Sequence, residues 1–399
     1  MFHLGLKNLT QHEASALAFE YNLADAHTHQ SQSITQKKII ERLSEIFYEA
    51  ERTPQPALDL VTTKLFHDVA FQYTASNTED SLICYSSSLA MEIVANYLRR
   101  AQMTVALIEP TFDNIADILK RHKIQLEPID ERTLFEDDSE NIIRSLKSHA
   151  LFLTLPNNPT GSFLEPEQFR RLAWACKRYD KIVLLDTSFR LFEPNFCYDQ
   201  YKIFQEEQSD YIVIEDTGKF WPTLDLKVGF LNGSNRFRSQ LRDIHSDFLL
   251  NVSPFVLRLL CEYFQDSRND NFESIRGLIR ENRNYLRSQL AGTFLTPEFH
   301  QSQVSVEFLR IHEGITAREL KIFLDTKGVI ILPGNYFYWN SPEQGEAFVR
   351  VALARDQELF RKAVTSLVTI ITDPLTEKQL KLLKNSRVEN SEEMTHDSS

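Results

Sequence analysis

Six residues with reactive or hydrogen-bonding side chains, and one aromatic residue, stand shortly after hydrophobic runs of the sequence. They are Ser86, Ser87, Ser88, Phe112, Asn158, Asp186 and Lys219. A lysine amine can form an imine with a carbonyl carbon, a carboxylate can pair with a protonated ring nitrogen, and hydroxyl residues at a helix start can bind phosphate. Each residue taken alone has a plainer explanation, because serines cap helices, Asn-Pro-Gly segments form turns, and most lysines are solvated.

The hydrophobic runs before these residues have the length of β-strands. They alternate with segments whose apolar residues recur every three or four positions, which is typical of helices. The predicted strands are 82–85, 104–108, 124–128, 150–155, 182–185, 211–214 and 227–231, and the predicted helices include 89–100, 112–121, 165–179 and 236–249. Such alternation indicates an α/β fold with a mainly parallel sheet, in which ligands bind beyond the carboxyl ends of the strands. We therefore expect the seven side chains at one edge of one sheet.

The remaining segments predict further parts around this sheet. We divide the chain into residues 1–34 (N-terminal helix and loop), 35–253 (large domain), 254–291 (bridging helix), 292–375 (smaller α+β domain) and 376–399 (polar tail, expected to be disordered). Further helices are predicted at 8–23 and 35–51. The bridging helix is expected to begin at Pro254 with Ser253 as its cap.

The composition excludes several classes of function. The 399 residues carry a net charge of −12, which disfavours nucleic acid as a partner. No apolar run reaches the roughly 18 residues that a membrane helix requires, and the first residues do not resemble a signal peptide. Four widely spaced cysteines exclude a disulfide scaffold and a zinc-finger spacing. We expect an acidic, cytoplasmic protein of enzyme size that uses no metal.

A lysine, a carboxylate, an aromatic ring, an asparagine and a phosphate site are together the parts that hold pyridoxal phosphate. The motifs that contain them resemble those of the class I and II aminotransferases, which have fold type I of the pyridoxal-phosphate enzymes. These motifs are PNNPTG at 156–161, DTSF at 186–189, DTGK at 216–219 and FVRVALA at 348–354. The resemblance spans about residues 35–372 and is specific, because four separate motifs occur in the family's order. It implies a large domain with a mainly parallel sheet, a small α+β domain and a homodimer.

The resemblance also implies a role for each residue. Lys219 would form the Schiff base with pyridoxal phosphate, Asp186 would pair with the pyridinium nitrogen, and Arg350 would bind the substrate carboxylate with its forked guanidinium. The other expected cofactor contacts are Ser86, Ser87, Ser88, Ser188 and Lys227 to the phosphate, Phe112 to the ring face and Asn158 to the ring oxygen.

Two positions depart from the family pattern. Phe189 stands where many aminotransferases have a tyrosine that bonds the ring oxygen. Asp216 stands three residues before Lys219, where a serine often touches the phosphate. Because a carboxylate would repel phosphate, Asp216 is expected either to face a cation or to cap a turn.

Further segments resemble one branch of this family, which contains L-arginine oxidases and hydroxylases and L-enduracididine-forming cyclases such as that of guanitoxin biosynthesis. The segments are NLTQ at 8–11, ADAH at 24–27, CYSSS at 84–88 and PTFDNIAD at 110–117. This likeness implies that residues 1–34 form a lid over an arginine-like substrate. Thr10, Glu13 and Asp216 would contact the substrate guanidinium, and His27 would act as an acid or base near Cβ and Cγ.

The same N-terminal residues have local explanations that stay open. Thr10-x-x-Glu13 matches a capping box, and His27 could be an ordinary structural histidine. Asp25 with His27-x-His29 is a weak metal motif, to which we assign no metal.

The expected reaction is the cyclisation of 4-hydroxy-L-arginine to L-enduracididine, by elimination of the γ-hydroxyl and addition of a guanidine nitrogen. It is favoured because His12 and His29 alter the lid relative to the oxidase pattern. The alternatives are an O₂-dependent L-arginine oxidase or hydroxylase, an ordinary aminotransferase, and a non-catalytic binding protein.

Overall fold

The computed structural model describes residues 7–72, 81–136, 139–299, 301–312 and 314–373 of the chain. The polar tail predicted at 376–399 lies outside these described residues, as do the first six residues of the predicted lid. The strands are β1 (Tyr21–Asn22), β2 (Leu82–Cys84), β3 (Val105–Glu109), β4 (Leu126–Asp130), β5 (Ala150–Thr154), β6 (Ile182–Asp186), β7 (Tyr211–Asp216), β8 (Gly229–Gly233), β9 (Leu295–Pro297), β10 (Val306–Ile311), β11 (Val329–Ile330), β12 (Leu332–Pro333) and β13 (Phe348–Ala352). The helices are α1 (Leu9–Ala16), α2 (Ile34–Glu41), α3 (Leu43–Arg52), α4 (Gln55–Ala70), α5 (Ser87–Arg100), α6 (Asp113–Arg121), α7 (Glu131–Glu136), α8 (Ser139–Ser145), α9 (Pro166–Arg178), α10 (Gln200–Glu206), α11 (Arg238–Phe248), α12 (Pro254–Asn269), α13 (Glu273–Leu290), α14 (Ala317–Thr326), α15 (Pro342–Gly345) and α16 (Gln357–Thr372).

A seven-stranded sheet in the order β2-β8-β7-β6-β5-β3-β4 forms the centre of the fold. Strands β3 to β7 pair in parallel, whereas β8 is antiparallel to both of its neighbours. All residues of β3, β5 and β6 are buried. In β3, Val105 and Leu107 belong to one hydrophobic core and Ala106 and Ile108 to another, because alternate side chains point to opposite faces. The predicted α/β fold with a mainly parallel sheet is confirmed.

A second sheet, antiparallel and in the order β12-β13-β10-β9, lies in the C-terminal part of the chain. The N-terminal segment attaches to this part, since β1 pairs in parallel with β11 and Tyr21 stands opposite Val329. Helix α1 contacts α6, the helix that connects strands β3 and β4 of the seven-stranded sheet. The N-terminal segment therefore contacts both parts of the molecule. The domain boundaries given above stay a prediction.

The N-terminal helix is shorter than the predicted 8–23. It ends at Ala16, because the backbone around Leu23 is used by sheet hydrogen bonds: Leu23 N donates to Ile330 O at 2.8 Å. The capping box of Thr10 and Glu13 is wrong as well. Asn8 caps the helix by accepting from Gln11 N at 2.9 Å, which leaves the Glu13 side chain free for a distant partner.

Two other predicted helices are each divided in two. The segment 35–51 breaks at Arg42 between α2 and α3, and 254–291 breaks where Phe272 adopts a left-handed φ of 61° between α12 and α13. Pro254 is the first residue of α12 as expected, but the Ser253 side chain makes no capping hydrogen bond. The strands predicted at 124–128 and 227–231 begin two residues later than expected. Among the described helices, none is long and apolar enough to cross a membrane.

Candidate active site

The carboxyl ends of three neighbouring parallel strands open into a cavity of about 1100 Å³. Thr154, Asp186 and Asp216, the last residues of β5, β6 and β7, all line it. The cavity wall contains every residue that the sequence singled out for the site except Arg350: Thr10, Glu13, His27, Ser86, Ser87, Ser88, Phe112, Asn158, Asp186, Ser188, Asp216, Lys219 and Lys227. The strand order thus brings together side chains that are far apart in the sequence.

One side of the cavity is the start of helix α5. Ser86 caps this helix, since its Oγ accepts from Leu89 N at 3.2 Å. A Cβ at Gly229 would stand 2.7 Å from the Ser86 carbonyl carbon and from the Ser87 amide, so β8 can approach the helix start this closely only with glycine. Amides at such a helix start lack intrahelical acceptors and suit a phosphate.

Asp216 is held by neutral donors of the protein. Its Oδ2 accepts from Ser87 Oγ at 2.6 Å and its Oδ1 from Gly218 N at 2.6 Å. The turn cap that the sequence allowed is therefore present, and a contact between Asp216 and a substrate cation stays a prediction. The Asp216 carboxylate also lines the cavity, so its charge acts on whatever the cavity contains.

Asp186 is the buried acid at the floor of the cavity. It accepts from Ser188 N at 2.9 Å and from Ser188 Oγ at 2.6 Å. Burial raises the pKa of Asp186 to about 6 in spite of these hydrogen bonds. A protonated ring nitrogen beside Asp186 would offset this desolvation, so the acid fits the pyridinium of pyridoxal phosphate. The neighbouring Phe189 is buried and contributes only a ring to the wall.

Two lysine amines meet at one imidazole nitrogen. Lys219 Nζ and Lys227 Nζ each lie 3.3 Å from His27 Nε2, and Lys227 also pairs with Asp225 at 3.1 Å. His27 Nδ1 lies 2.6 Å from Asp25 Oδ1. This arrangement fits an imidazole that carries its proton on Nδ1 and accepts one at Nε2.

Asp25 orients this imidazole, although the sequence did not place it in the site. It also lies 2.5 Å from His29 Nε2. Burial by itself raises the pKa of Asp25, but hydrogen bonds from His27 and His29 hold it well below its usual range. A signal was present in the sequence, because Asp25 stands two residues before His27 and four residues before His29.

A group of possible metal ligands occurs at the same place. Glu13, Asp25 and His27 bring ligand atoms within 4.8 Å of one another. Both oxygens of Asp25 already face imidazoles, and two lysine amines face His27 Nε2. These contacts disfavour a cation, and the expectation of no metal stays a prediction.

Arg350 lies fully buried behind the cavity wall. Its Nη2 donates to Glu13 Oε1 at 2.7 Å and to the Ala24 carbonyl, and its Nη1 donates to Asn158 Oδ1 at 3.2 Å. The Glu13 carboxylate thus binds the guanidinium that we expected to receive a substrate carboxylate. Thr10, one turn before Glu13, is exposed at the cavity.

The turn that presents Asn158 rests on a buried carboxylate. Glu131 Oε1 accepts from Asn157 Nδ2 at 2.7 Å and from Thr160 Oγ1 at 2.9 Å. Burial raises the pKa of Glu131 to about 7. Phe112 stands at the start of α6 and also lines the cavity.

Known proteins resemble this chain in sequence and fold. The sequence model of the family Aminotransferase class I and II matches residues 20–367. The structure of MppP soaked with the product 2-ketoarginine is 37% identical, with a TM-score of 0.84, and the match covers 88% of this chain and 99% of MppP. The aspartate aminotransferase from Thermus thermophilus with maleate is 16% identical, with a TM-score of 0.74 over 91% of this chain and 96% of that chain. A histidinol-phosphate aminotransferase of Methanococcus maripaludis is 22% identical over 346 residues, which are 83% of this chain and 86% of that enzyme.

The region matched by the family contains the four motifs on which the sequence resemblance rests. The predicted family, fold and cofactor are therefore confirmed. The chain belongs to the class I and II aminotransferases, and its cofactor is pyridoxal phosphate.

Proposed function

We propose that this enzyme converts an arginine-like amino acid, 4-hydroxy-L-arginine, to the cyclic guanidine L-enduracididine. The observation that carries the proposal is the position of His27, whose Nε2 lies 3.3 Å from Lys219 Nζ while its Nδ1 is held by Asp25. Transamination needs only one group that moves a proton between the substrate Cα and C4′, the aldehyde carbon of pyridoxal phosphate. A second acid–base group beside the lysine supports proton transfer at a further carbon.

The residues of the cavity floor would hold the cofactor. Pyridoxal phosphate, when bound, supplies the electron sink that allows a proton to leave the substrate α-carbon. Asp186 would keep the ring nitrogen protonated, and Lys219 would anchor the cofactor through Nζ and move the α-proton. The remaining contacts would come from Ser86, Ser87, Ser88, Ser188 and Lys227 at the phosphate, and from Phe112 and Asn158 at the ring.

The ion pair between Glu13 and Arg350 favours a substrate with two opposite charges. A substrate carboxylate on Arg350 would displace Glu13, whose buried carboxylate would then lack a cation. A guanidinium on the substrate would restore that cation, whereas a neutral side chain would leave a buried charge unpaired, which is costly. Asp216 and Thr10 would complete the guanidinium site. The likeness to MppP, whose solved structure contains the guanidine compound 2-ketoarginine, supports this substrate class.

The cyclisation balances with the loss of one water. The γ-hydroxyl leaves, a guanidine nitrogen bonds to Cγ and releases its proton, and the protons taken from Cα and Cβ are returned. Lys219 would move the proton at Cα. His27 would move the proton at Cβ and would donate a proton to the leaving hydroxyl.

A second candidate is the O₂-dependent oxidation of L-arginine. It is favoured by MppP, since 2-ketoarginine is named there as a product and is the 2-oxo acid of arginine. Both candidates share the arginine-like substrate and the removal of the α-proton.

Incubation of the holoenzyme with L-arginine and with 4-hydroxy-L-arginine separates the two candidates. The cyclase should give a product lighter than 4-hydroxy-L-arginine by one water and should consume no oxygen. Brisk oxygen uptake with L-arginine and formation of 2-ketoarginine would identify the oxidase, and amino transfer to 2-oxoglutarate would identify an aminotransferase.

His27→Ala should still exchange the substrate α-proton with deuterated solvent but lose the cyclic product. His312→Ala, at an exposed histidine bonded to Thr296, is the matched control and should keep both activities. An unchanged product profile in His27→Ala would remove His27 from the mechanism.

We further propose that the enzyme's protein partner is a second copy of this chain. Leu224 and Leu250 are 94% and 96% exposed, and Tyr85 and Phe248 are also exposed. The Leu250 loop lies beside Tyr85, because Ser253 N donates to Tyr85 Oη at 3.2 Å. Large apolar side chains so exposed are suited to a protein interface.

A further inference from the structure

Arg355 is a buried arginine that binds the backbone of the segment carrying His27. Its Nε donates to the Asn22 carbonyl at 2.8 Å, its Nη2 to the Asp25 carbonyl at 2.6 Å, and its Nη1 to the His27 carbonyl at 3.2 Å. It is 2% exposed and does not line the cavity. One guanidinium therefore fixes three points of segment 22–27.

Backbone groups of Ala352 and Ala354, close to Arg355 in the sequence, also bind this stretch of the chain. Ala352 N donates to the Leu23 carbonyl at 2.7 Å, and His29 N donates to the Ala354 carbonyl at 3.1 Å. These are ordinary backbone bonds that many sequences could form. The contacts of Arg355 differ because they need the planar fork of a guanidinium, which lysine lacks.

The charge of Arg355 also acts on the acid that orients His27. Burial lowers the pKa of Arg355 to about 10, while the carboxylate of Asp25 opposes this shift. Arg355 is therefore still positively charged at neutral pH, and its charge favours the ionised form of Asp25. The Asp25 carboxylate in turn contacts His27 Nδ1 and His29 Nε2.

We propose that Arg355 is a positioning residue for His27. By holding the carbonyls of residues 22, 25 and 27, it keeps His27 Nε2 directed at Lys219 Nζ. The inference rests on the proposed role of His27, and it adds a residue that touches neither the cofactor nor the substrate. The sequence offered a weak signal, since Arg355 directly follows the FVRVALA motif.

Arg355→Lys tests the proposal, because it keeps the charge and removes the fork. We expect the kcat for the cyclic product to fall by about tenfold to a hundredfold, with KM and the cofactor absorbance unchanged. Amide hydrogen exchange of residues 22–29 should become faster in the same protein. If Arg355→Lys does not fold, Arg355→Gln is measured in the same way.

Arg283→Lys is the matched control. Arg283 is likewise buried and binds Glu307 and the carbonyls of Val304 and Val306, away from the His27 segment. Arg283→Lys should leave the amide hydrogen exchange of residues 22–29 at the wild-type rate, and it should retain the kcat for the cyclic product. Equal effects in the Arg283 and Arg355 variants would overturn the proposal.

A double variant separates this inference from the proposed function. In the His27→Ala background, Arg355→Lys should cause no loss of the substrate α-proton exchange that His27→Ala retains, because that exchange does not use the group that Arg355 positions. A loss of that exchange would overturn the positioning role. If His27→Ala alone keeps the cyclic product, the proposed function fails, while hydrogen exchange still reports whether Arg355 holds the segment.

Discussion

At the scale of single residues, Lys219 and Lys227 lie at the same distance from His27 Nε2. By the resemblance of the DTGK motif, we expect Lys219 to form the covalent bond and Lys227 to be a cation for the phosphate. Borohydride reduction of the holoenzyme, followed by peptide mapping, should therefore label Lys219. Lys219→Ala should take no label and lose turnover, whereas Lys227→Ala should be labelled at Lys219 but bind the cofactor more weakly. A label on Lys227 would refute the assignment.

Asp216→Asn removes the charge of Asp216 and keeps its shape, because the amide Oδ1 can still accept from Gly218 N while the amide Nδ2 can donate to Ser87 Oγ. The affinity for L-arginine should fall by about tenfold or more, as expected for the loss of a charge-assisted hydrogen bond. The affinity for L-norvaline, which has no side-chain cation, should change little. Titration of the holoenzyme with both amino acids measures the difference.

Asp117→Asn is the control for this experiment, since Asp117 also lines the cavity. It should leave the preference for arginine unchanged. If Asp117→Asn rather than Asp216→Asn removes the preference, the guanidinium lies against α6 and our assignment of Asp216 is wrong.

At the scale of elements, the PNNPTG turn depends on Glu131. Its carboxyl pKa is raised from 4.5 to about 7 by burial, so the folded protein holds this proton more tightly than the unfolded chain. The wild type therefore loses stability as the pH rises from 4.5 to about 7. Glu131→Gln stays neutral and keeps an acceptor for Asn157 and Thr160. It should be more stable than the wild type by up to about 3 kcal/mol at high pH and similar to it at low pH.

Urea unfolding at about pH 4 and about pH 8 checks this sign. Glu167→Gln, at a side chain that is 82% exposed, should show no gain that depends on pH. A stability difference between Glu131→Gln and the wild type that is equal at both pH values would contradict the prediction.

The elements themselves show which local rules were reliable. The buried strands β3, β5 and β6 were predicted because an uninterrupted apolar run is the pattern of a strand covered on both faces. The capping box at Thr10 was wrong, because the Glu13 carboxylate gains more from the buried guanidinium of Arg350 than from a backbone amide. The break at Phe272 was also missed, since no glycine or proline marks it.

At the scale of the whole molecule, the exposed apolar residues predict a homodimer. Leu250→Glu should shift the dimer towards monomer, raising the dissociation constant by about tenfold or more, because it would bury an unpaired charge at the interface. Analytical ultracentrifugation over a range of concentrations measures this. Ile322→Glu, at a 64% exposed residue of α14, should leave the dimer intact. A wild-type monomer, or dissociation by Ile322→Glu alone, would contradict the proposed face.

The sequence by itself determined the fold class, the family and the cofactor, because hydrophobic periodicity and short motifs are local properties of the chain. The tertiary structure alone decided which distant groups meet. It placed Glu13 on Arg350, Asp25 behind His27, and Arg355 on the carbonyls around them. Glu13 and Arg350, like Asp25 and Arg355, are more than 300 positions apart in the sequence. Asp25 and His27 are close in the sequence, but the strength of their contact depends on burial. The strength of an ion pair or a buried hydrogen bond depends on how far the surrounding protein excludes water, and only the packed chain sets that.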